Sequence, residues 1–361
     1  MKQDVKRRSN IVSKLNTEFF QGKNVLVTGH TGFKGAWMCH MLKQFGANVT
    51  GYALEPMKPY SLFDIAKVKE GMNSVIGEIQ DYQKLLSVFQ EKKPEIVFHL
   101  AAQPIVRESY REPRYTYETN VMGTVNVLEC IRNTPEVRSF VNITTDKVYL
   151  NNEWEWGYRE IDPLDGYDVY SNSKSCSELV TACYNRAFFK AREISISTVR
   201  AGNVIGGGDF AKDRIIPDCV RAALDKQDIV IRNLHATRPY QHVLEPLYVY
   251  LLVAQKQYEN PTLAGAYNVG PEDCDCVENQ KLVTLFVKQW GQGLKWIDRS
   301  DNGPHEANFL KLDSSKLKYS FGWHPHCTIA DAVEMVIEWT KEWDAKNDVR
   351  NCMNRQIKRF F

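Results

Sequence analysis

The chain has 361 residues, with 46 Lys+Arg against 44 Asp+Glu, a formal net charge of +2 and 43% hydrophobic residues; that length suits one large or two modest domains around an ordinary core. The near-cancelled charge excludes the basic field of a nucleic-acid binder and the acidic tail of a solvating arm. No apolar run approaches the roughly 20 residues of a membrane span, so neither nucleic acid nor membrane is an expected partner.

Residues 1–21 read as an N-terminal extension, frayed over 1–16, polar and carrying Lys6, Arg7 and Arg8, without the apolar stretch of a secretory signal. The nine cysteines are scattered, with Cys39, Cys130 and Cys183 in apolar helical patterns. That usage points to reduced thiols and a cytoplasmic location. Cys274-Asp275-Cys276 is a tight pair, but two thiolates do not complete a zinc site, so no metal is expected.

Val25-Leu26-Val27 is a short β-branched-rich run such as a buried parallel strand needs. Gly29, Gly32 and Gly35 follow, then a helical pattern through Trp37, Met38, Met41, Leu42 and Phe45. Strand, glycine turn, helix is the context of a dinucleotide-phosphate site. Gly29 permits the tight turn, Gly32 lets backbone approach a pyrophosphate, Gly35 lets the helix pack closely, and the helix N-terminus offers N–H groups. Gly29, Thr31, Gly32, Phe33 and Gly35 are the cofactor candidates here. After a second strand over 48–53, Glu55 is a candidate for a ribose diol and Lys34 for a 2′-phosphate, so NAD is favoured and NADP stays open.

A third strand over 74–79 places Glu78 and Ile79 at its end as further cofactor candidates, and a helix over 82–91 follows. A fourth strand over 96–100 runs into Leu100-Ala101-Ala102-Gln103, whose small residues either admit a cofactor or form a plain turn. A long helix over 115–132 carries Asn120 and Gly123, a fifth strand spans 139–144, and a second long helix opens at Tyr170. From about Arg200 the strands shorten and glycines cluster, and the last helix is expected over 329–343. The alternation implies an α/β fold: a Rossmann-type doubly wound parallel sheet over 22–200, and a smaller C-terminal α/β substrate-binding lobe over 201–361 from which some chain crosses back. Ligands of such sheets lie beyond the C-terminal strand ends, so 29–35, 101–103 and 145–147 should converge.

Tyr170-Ser171-Asn172-Ser173-Lys174 sets a phenol and an ammonium at i and i+4 on one helix face, where the cation favours the phenolate and suits Tyr170 to act as a base. Following the glycine motif, this pair resembles the extended short-chain dehydrogenase/reductase family over about 22–343. The resemblance implies tightly held NAD(P), Tyr170 as base, Lys174 as its tuner and a cofactor ligand, and Asn120 holding the site. It also implies that residues 200–209 hold the pyrophosphate of a nucleotide sugar, with Asn203 as the contact.

Thr145-Asp146-Lys147 falls where the family's sugar epimerases carry a lone Ser or Thr and most of its 4,6-dehydratases carry Thr-Asp-Glu. Dehydration needs two more proton carriers than epimerisation. The resemblance assigns Thr145 to align the C4 oxygen, Asp146 as acid for the departing C6 hydroxyl and Lys147 as base at C5. A hydride leaves C4 and returns to C6. Lysine in the third place, together with the stretches 29–35, 99–104, 154–159 and 238–246, resembles the family's CDP-glucose 4,6-dehydratase branch. That branch implies CDP-glucose as substrate, Arg238 and Arg214 as pyrophosphate clamps, and a role in deoxysugar synthesis for O-antigen or other surface polysaccharide. Tyr149 and Tyr240 depart from it, standing near the site where Cys and Trp are expected. Another nucleotide-sugar 4,6-dehydratase or a 4-epimerase is the alternative, and a non-catalytic dinucleotide-binding regulator the remote one. The family pairs its long helices, here 115–132 and 173–189, as a four-helix bundle, so a homodimer or a tetramer is expected, although the same apolar stripes can serve the sheet.

Overall fold

The computed structural model describes residues 14–299 and 310–361. Lys6, Arg7 and Arg8, with most of the expected extension, lie outside those residues. The part of the extension that is described is docked rather than frayed. Leu15 and Phe20 are buried, and the Leu15 and Asn16 N–H groups donate to Tyr248 Oη and Gln255 Oε1 at 3.1 and 3.0 Å.

The strands, in chain order, are β1 (Asn24–Thr28), β2 (Asn48–Ala53), β3 (Asn73–Ile76), β4 (Ile96–His99), β5 (Ser139–Ile143), β6 (Ser195–Ala201), β7 (Val204–Ile205), β8 (Ile229–Ile231), β9 (Thr237–Arg238), β10 (Gln241–His242), β11 (Ala266–Val269), β12 (Val277–Glu278) and β13 (Trp296–Asp298). Seven of them form one sheet in the order β11-β6-β5-β4-β1-β2-β3, every pairing parallel. The order reverses between β1 and β4, which places the ligand crevice outside their C-terminal ends. The strands are apolar on both faces because helices cover both. Val25, Val27, Ile96, Phe98, Val141 and Ile143 point into one core, while Leu26, Val97 and Phe140 point into the other, the period-2 alternation of a strand. A third core of Ile205, Ile216, Val277, Phe286 and Val333 gathers the later, shorter elements.

Several boundaries differ from the sequence reading. β3 ends at Ile76; Gly77 still donates to Ala53 O at 2.8 Å, and it packs so closely under Tyr52 that a Cβ there would lie 2.4 Å from the Tyr52 Oη. The long helix over 115–132 is Pro113–Tyr117, a π turn over Glu118–Met122, and Gly123–Arg132. The helix Ile329–Asp344 is followed by another, Val349–Lys358, which the sequence reading ended too early to include. The later helix is short and carries Arg350, Arg355 and Lys358, yet Val349, Cys352, Met353 and Ile357 are buried on one side of it. Buried apolar side chains of this kind are worth about 1.5–3 kcal/mol each.

Candidate active site

The glycine turn is held by contacts that leave no room for side chains. Gly29 has φ +74°, and a Cβ there would sit 2.8 Å from Ala101 N. The turn therefore touches the segment after β4. Thr28 Oγ1 accepts from the Leu100 and Ala101 N–H groups, both at 3.1 Å. A Cβ at Gly35 would lie 2.1 Å from Gly29 O, so helix Phe33–Gln44 rests directly on the turn. Gly32 caps that helix without a side-chain hydrogen bond, and a Cβ on it would meet only Gly29 O, at 3.4 Å. An uncapped helix N-terminus beside open backbone fits a dinucleotide diphosphate. Thr31 faces elsewhere, its hydroxyl donating to Leu54 O at 2.9 Å.

His30, in the same turn, has a structural function that the sequence did not signal. Its ring lies over β2, where a Cβ on Gly51 would come within 2.2 Å of His30 Cγ, and its Nε2 is 2.8 Å from Ser74 Oγ. Burial lowers its pKa to about 4, opposed by the Tyr52 backbone carbonyl, which favours the protonated ring, so it is neutral at pH 7. Gly51→Ala is expected to displace this ring at a cost of about 1–3 kcal/mol. Thermal unfolding checks this, with a midpoint several degrees lower expected.

Behind the crevice lies a buried polar network. Asn120 Oδ1 accepts from Gln103 N at 2.8 Å, and its Nδ2 donates to Gln103 O at 3.1 Å and Ser173 Oγ at 2.9 Å. Asn120 thereby ties the segment after β4 to helix Val169–Tyr184. His99 links Thr28 Oγ1 at 2.8 Å to Thr124 Oγ1 at 3.2 Å. Burial and the Lys174 charge lower its pKa to about 3, leaving it neutral at pH 7.

A cavity of about 580 Å³ opens beyond β5 and β6, and Thr145, Asp146, Lys147, Tyr170, Asn203, Arg214 and Arg238 all line it. Thr145 caps the 3-10 turn Asp146–Val148, accepting from Lys147 N. Its Oγ1 donates to Asp146 Oδ1 at 2.9 Å, and its side chain is also hydrogen-bonded to Tyr170. Burial pushes the Tyr170 phenol up to about 12, against that bond and the Arg214 charge. Asp146 Oδ2 is buried without a hydrogen-bond partner. Burial raises the Asp146 pKa, opposed by Lys147, Thr145 and Arg238. A carboxyl with raised proton affinity and an unbonded oxygen is suited to hold and deliver a proton. Lys174 is buried, its Nζ donating to Ile143 O at 2.9 Å, and burial lowers its pKa to about 8 against the Glu178 charge. Six cationic and four acidic side chains line the cavity, an excess that favours a diphosphate.

The other cofactor candidates except Phe33 lie outside this lining. The Glu78 side chain is exposed, its carbonyl accepting from Tyr52 Oη at 3.0 Å. Ile79 is buried, and Gly123 packs so closely that a Cβ there would meet its Cγ2 at 2.7 Å. Lys34 does not lie where a 2′-phosphate ligand would. It lines the cavity, and its electrostatic neighbours are Arg214, Lys174, Asp146 and Asp209, none of them on β2. The first turn of its helix aims it at the cavity, away from the Glu55 end where a 2′-phosphate would lie.

The expected pyrophosphate segment over 200–209 divides. Asn203, Val204, Ile205 and Asp209 reach the cavity. Arg200 instead forms a buried two-pronged ion pair with Glu178, at 2.9 and 2.9 Å; losing one partner of such a pair costs about 3–5 kcal/mol. The glycines that follow are packing points: Trp37 Nε1 donates to Gly207 O at 3.0 Å, and a Cβ on Gly207 would lie 2.0 Å from the Trp339 ring. Tyr149 is not in the cavity lining, while Tyr240 is, its hydroxyl donating to Asn279 Oδ1 at 2.6 Å. Asn279, Arg107, Arg232 and Asp213 also line the cavity; as isolated polar residues on separate segments, they had no spacing by which to be found. Asp213 pairs with Arg232 at 2.9 Å and lies 3.9 Å from Arg107. Among the described residues, no three His, Cys, Asp or Glu side chains converge as a metal site.

Residues 26–336 match the family described as GDP-mannose 4,6 dehydratase. The chain is 47% identical to the CDP-glucose 4,6-dehydratase of Salmonella typhimurium, covering 95% of this chain and 97% of that protein. Among solved structures it resembles a UDP-glucose 4-epimerase of Thermotoga maritima with UDP-glucose, at TM-score 0.78 and 20% identity over 89% of this chain and 99% of the other. It also resembles a dTDP-glucose 4,6-dehydratase of Bacillus anthracis in complex with NAD, at TM-score 0.73 and 20% identity over 91% and 100%.

Proposed function

The chain belongs to the GDP-mannose 4,6-dehydratase family, and from that premise we propose that it is an NAD-dependent hydro-lyase converting CDP-glucose to CDP-4-keto-6-deoxyglucose and water. One observation carries the reaction type: the Thr145-Asp146-Lys147 turn shares a cavity with Tyr170. An epimerase has no use for the second and third of those residues. The nucleotide follows from 47% identity spread over 95% of the chain.

When bound, NAD supplies the hydride acceptor that opens the reaction and the donor that closes it. We assign its diphosphate to the uncapped helix end at Gly32 and its nicotinamide half to the region of Lys174. Tyr170 takes the C4 hydroxyl proton, with Thr145 holding the C4 oxygen. The ketone at C4 acidifies the C5 proton, which Lys147 removes. Asp146 delivers its proton to the C6 hydroxyl, which leaves as water, and the proton held by Lys147 would return to C5 as C6 is reduced. Arg238, buried with its Nη1 on Thr237 O at 3.0 Å, and Arg214, paired with Asp209 at 3.0 Å, face the diphosphate, and Asn203 lies beside them. Residues 201–361 supply most of the nucleotide-sugar side, with helix Leu244–Glu259, packed on β5 and β6, and β11, paired with β6, returning to the sheet.

We also place the protein in the cytoplasm as a homodimer. All nine cysteines are free thiols, and among the described residues no helix is long and apolar enough to cross a membrane. Tyr117, Met122, Leu179 and Phe188, on the two long helices, stay exposed, an apolar face such as a two-fold helix bundle would cover.

Incubation with CDP-glucose should give a ketosugar that absorbs in alkali, and deuterium placed at C4 should appear in the C6 methyl group. An epimeric hexose with no methyl product would establish the epimerase instead, and no product from any nucleotide hexose would remove both enzymes.

A further inference from the structure

Helix Val169–Tyr184 carries Tyr170, Lys174 and Glu178 at successive i, i+4 positions, one stripe on one face. Tyr170 and Lys174 are accounted for by the reaction, whereas Glu178 is not. It is buried, as is its partner Arg200. Glu178 Oε1 accepts from Thr144 Oγ1 at 2.5 Å and from Arg200 Nε at 2.9 Å, and its Oε2 accepts from Arg200 Nη2 at 2.9 Å. Arg200 Nη1 donates to Tyr149 Oη at 2.7 Å, and the Tyr149 hydroxyl donates to Asn268 Oδ1 at 2.7 Å.

We propose that Glu178, held by Arg200, is a positioning residue that supplies the anion opposite Lys174 and pins Thr144, and so the Thr145-Asp146-Lys147 turn, against the helix bearing Tyr170. The inference rests on the functional reading above, since it concerns the same reaction.

The charges around Lys174 support it. Its own helix offers Tyr170 and Glu178, the helix Phe33–Gln44 offers the Lys34 cation, β4 offers neutral His99, and β5 offers the Ile143 carbonyl. Glu178 is the group that opposes the loss of the Lys174 proton, while burial favours that loss. Burial alone would raise the Glu178 carboxyl; Arg200, Thr144 and Thr198 hold it below the usual range. Arg200 thus favours the Glu178 carboxylate, and Glu178 favours the Lys174 ammonium against burial. Tyr149 matters here through its hydroxyl on Arg200, at a distance from the sugar.

The test uses the full-length protein with two variants. E178Q leaves Arg200 as a lone buried cation, while E178Q/R200M replaces the ion pair with neutral groups of similar volume, a change that folds tolerate. Two quantities are followed against pH: kcat/KM on CDP-glucose, and the Lys174 13Cε resonance in 13C-lysine-labelled protein. With its anion gone, Lys174 should lose its proton at lower pH. In E178Q/R200M the alkaline limb of kcat/KM and the Lys174 titration should both move acidward by about one pH unit, and further in E178Q. E178D, which retains the charge, should stay close to the parent. A folded E178Q/R200M with the parent's Lys174 titration would overturn the inference and leave a structural ion pair. A parent that titrates as expected but turns over no nucleotide hexose would remove the functional reading alone.

Discussion

Lys147→Ala should lower turnover of CDP-glucose by about 10²–10⁴-fold, the usual worth of a positioned acid or base, while leaving Asp146 in place as proton donor. The Lys147 charge pulls down the pKa of Asp146, so its removal leaves that carboxyl more readily protonated. The loss is then attributable to the C5 base. Asp146→Asn should lose turnover on a similar scale for the opposite reason, because the proton for the C6 hydroxyl is missing while the C5 base remains. Deuterium oxide separates the two. Substrate recovered from Asp146→Asn should carry solvent deuterium at C5, because C5 is deprotonated and reprotonated without elimination. Substrate recovered from Lys147→Ala should carry none. If Lys147→Ala exchanges C5 as fast as the parent, another group is the base.

Tyr170→Phe should fail earlier in the sequence, with neither C5 exchange nor product, and turnover reduced again by about 10²–10⁴-fold. Its substrate affinity should change little, since the phenol contributes one hydrogen bond among many contacts. Isothermal titration with CDP-glucose measures that affinity, and mass spectrometry of recovered substrate measures the exchange. As folded, burial holds the phenol near pKa 12 against the Thr145 hydrogen bond and the Arg214 charge. Removing the hydrogen bond with Thr145→Val should therefore move the acid limb of the parent's pH profile to higher pH. An unmoved limb would mean that Thr145 does not assist the phenol.

Local patterns carried much of this protein. Glycines at three-residue spacing after Val25-Leu26-Val27 announced a turn that only small residues fit, and the structure has Gly29 and Gly35 within contact of neighbouring backbone. Repeated strand–helix alternation announced the parallel sheet. Tyr170 and Lys174 are one helical turn apart and Thr145 to Lys147 are contiguous, so the sequence could group them, and Thr145, Asp146, Lys147 and Tyr170 do line one cavity. Other readings failed where the deciding neighbour is distant in sequence. Lys34 lies in the first turn of its helix, and only the tertiary structure turned it toward Asp146 and Arg214. Arg200 sits in a stretch that looked like a phosphate cradle, yet Glu178 and Tyr149 hold it behind the site.

The sequence by itself determined the class of fold and the glycine turn, because steric permission and strand–helix periodicity act over a few residues. Tertiary structure decided which charges face the cavity, which are neutralised in the interior, and which glycines serve packing. Burial sets both proton affinity and the availability of a charge, and burial exists only once separate segments of the chain have closed upon one another.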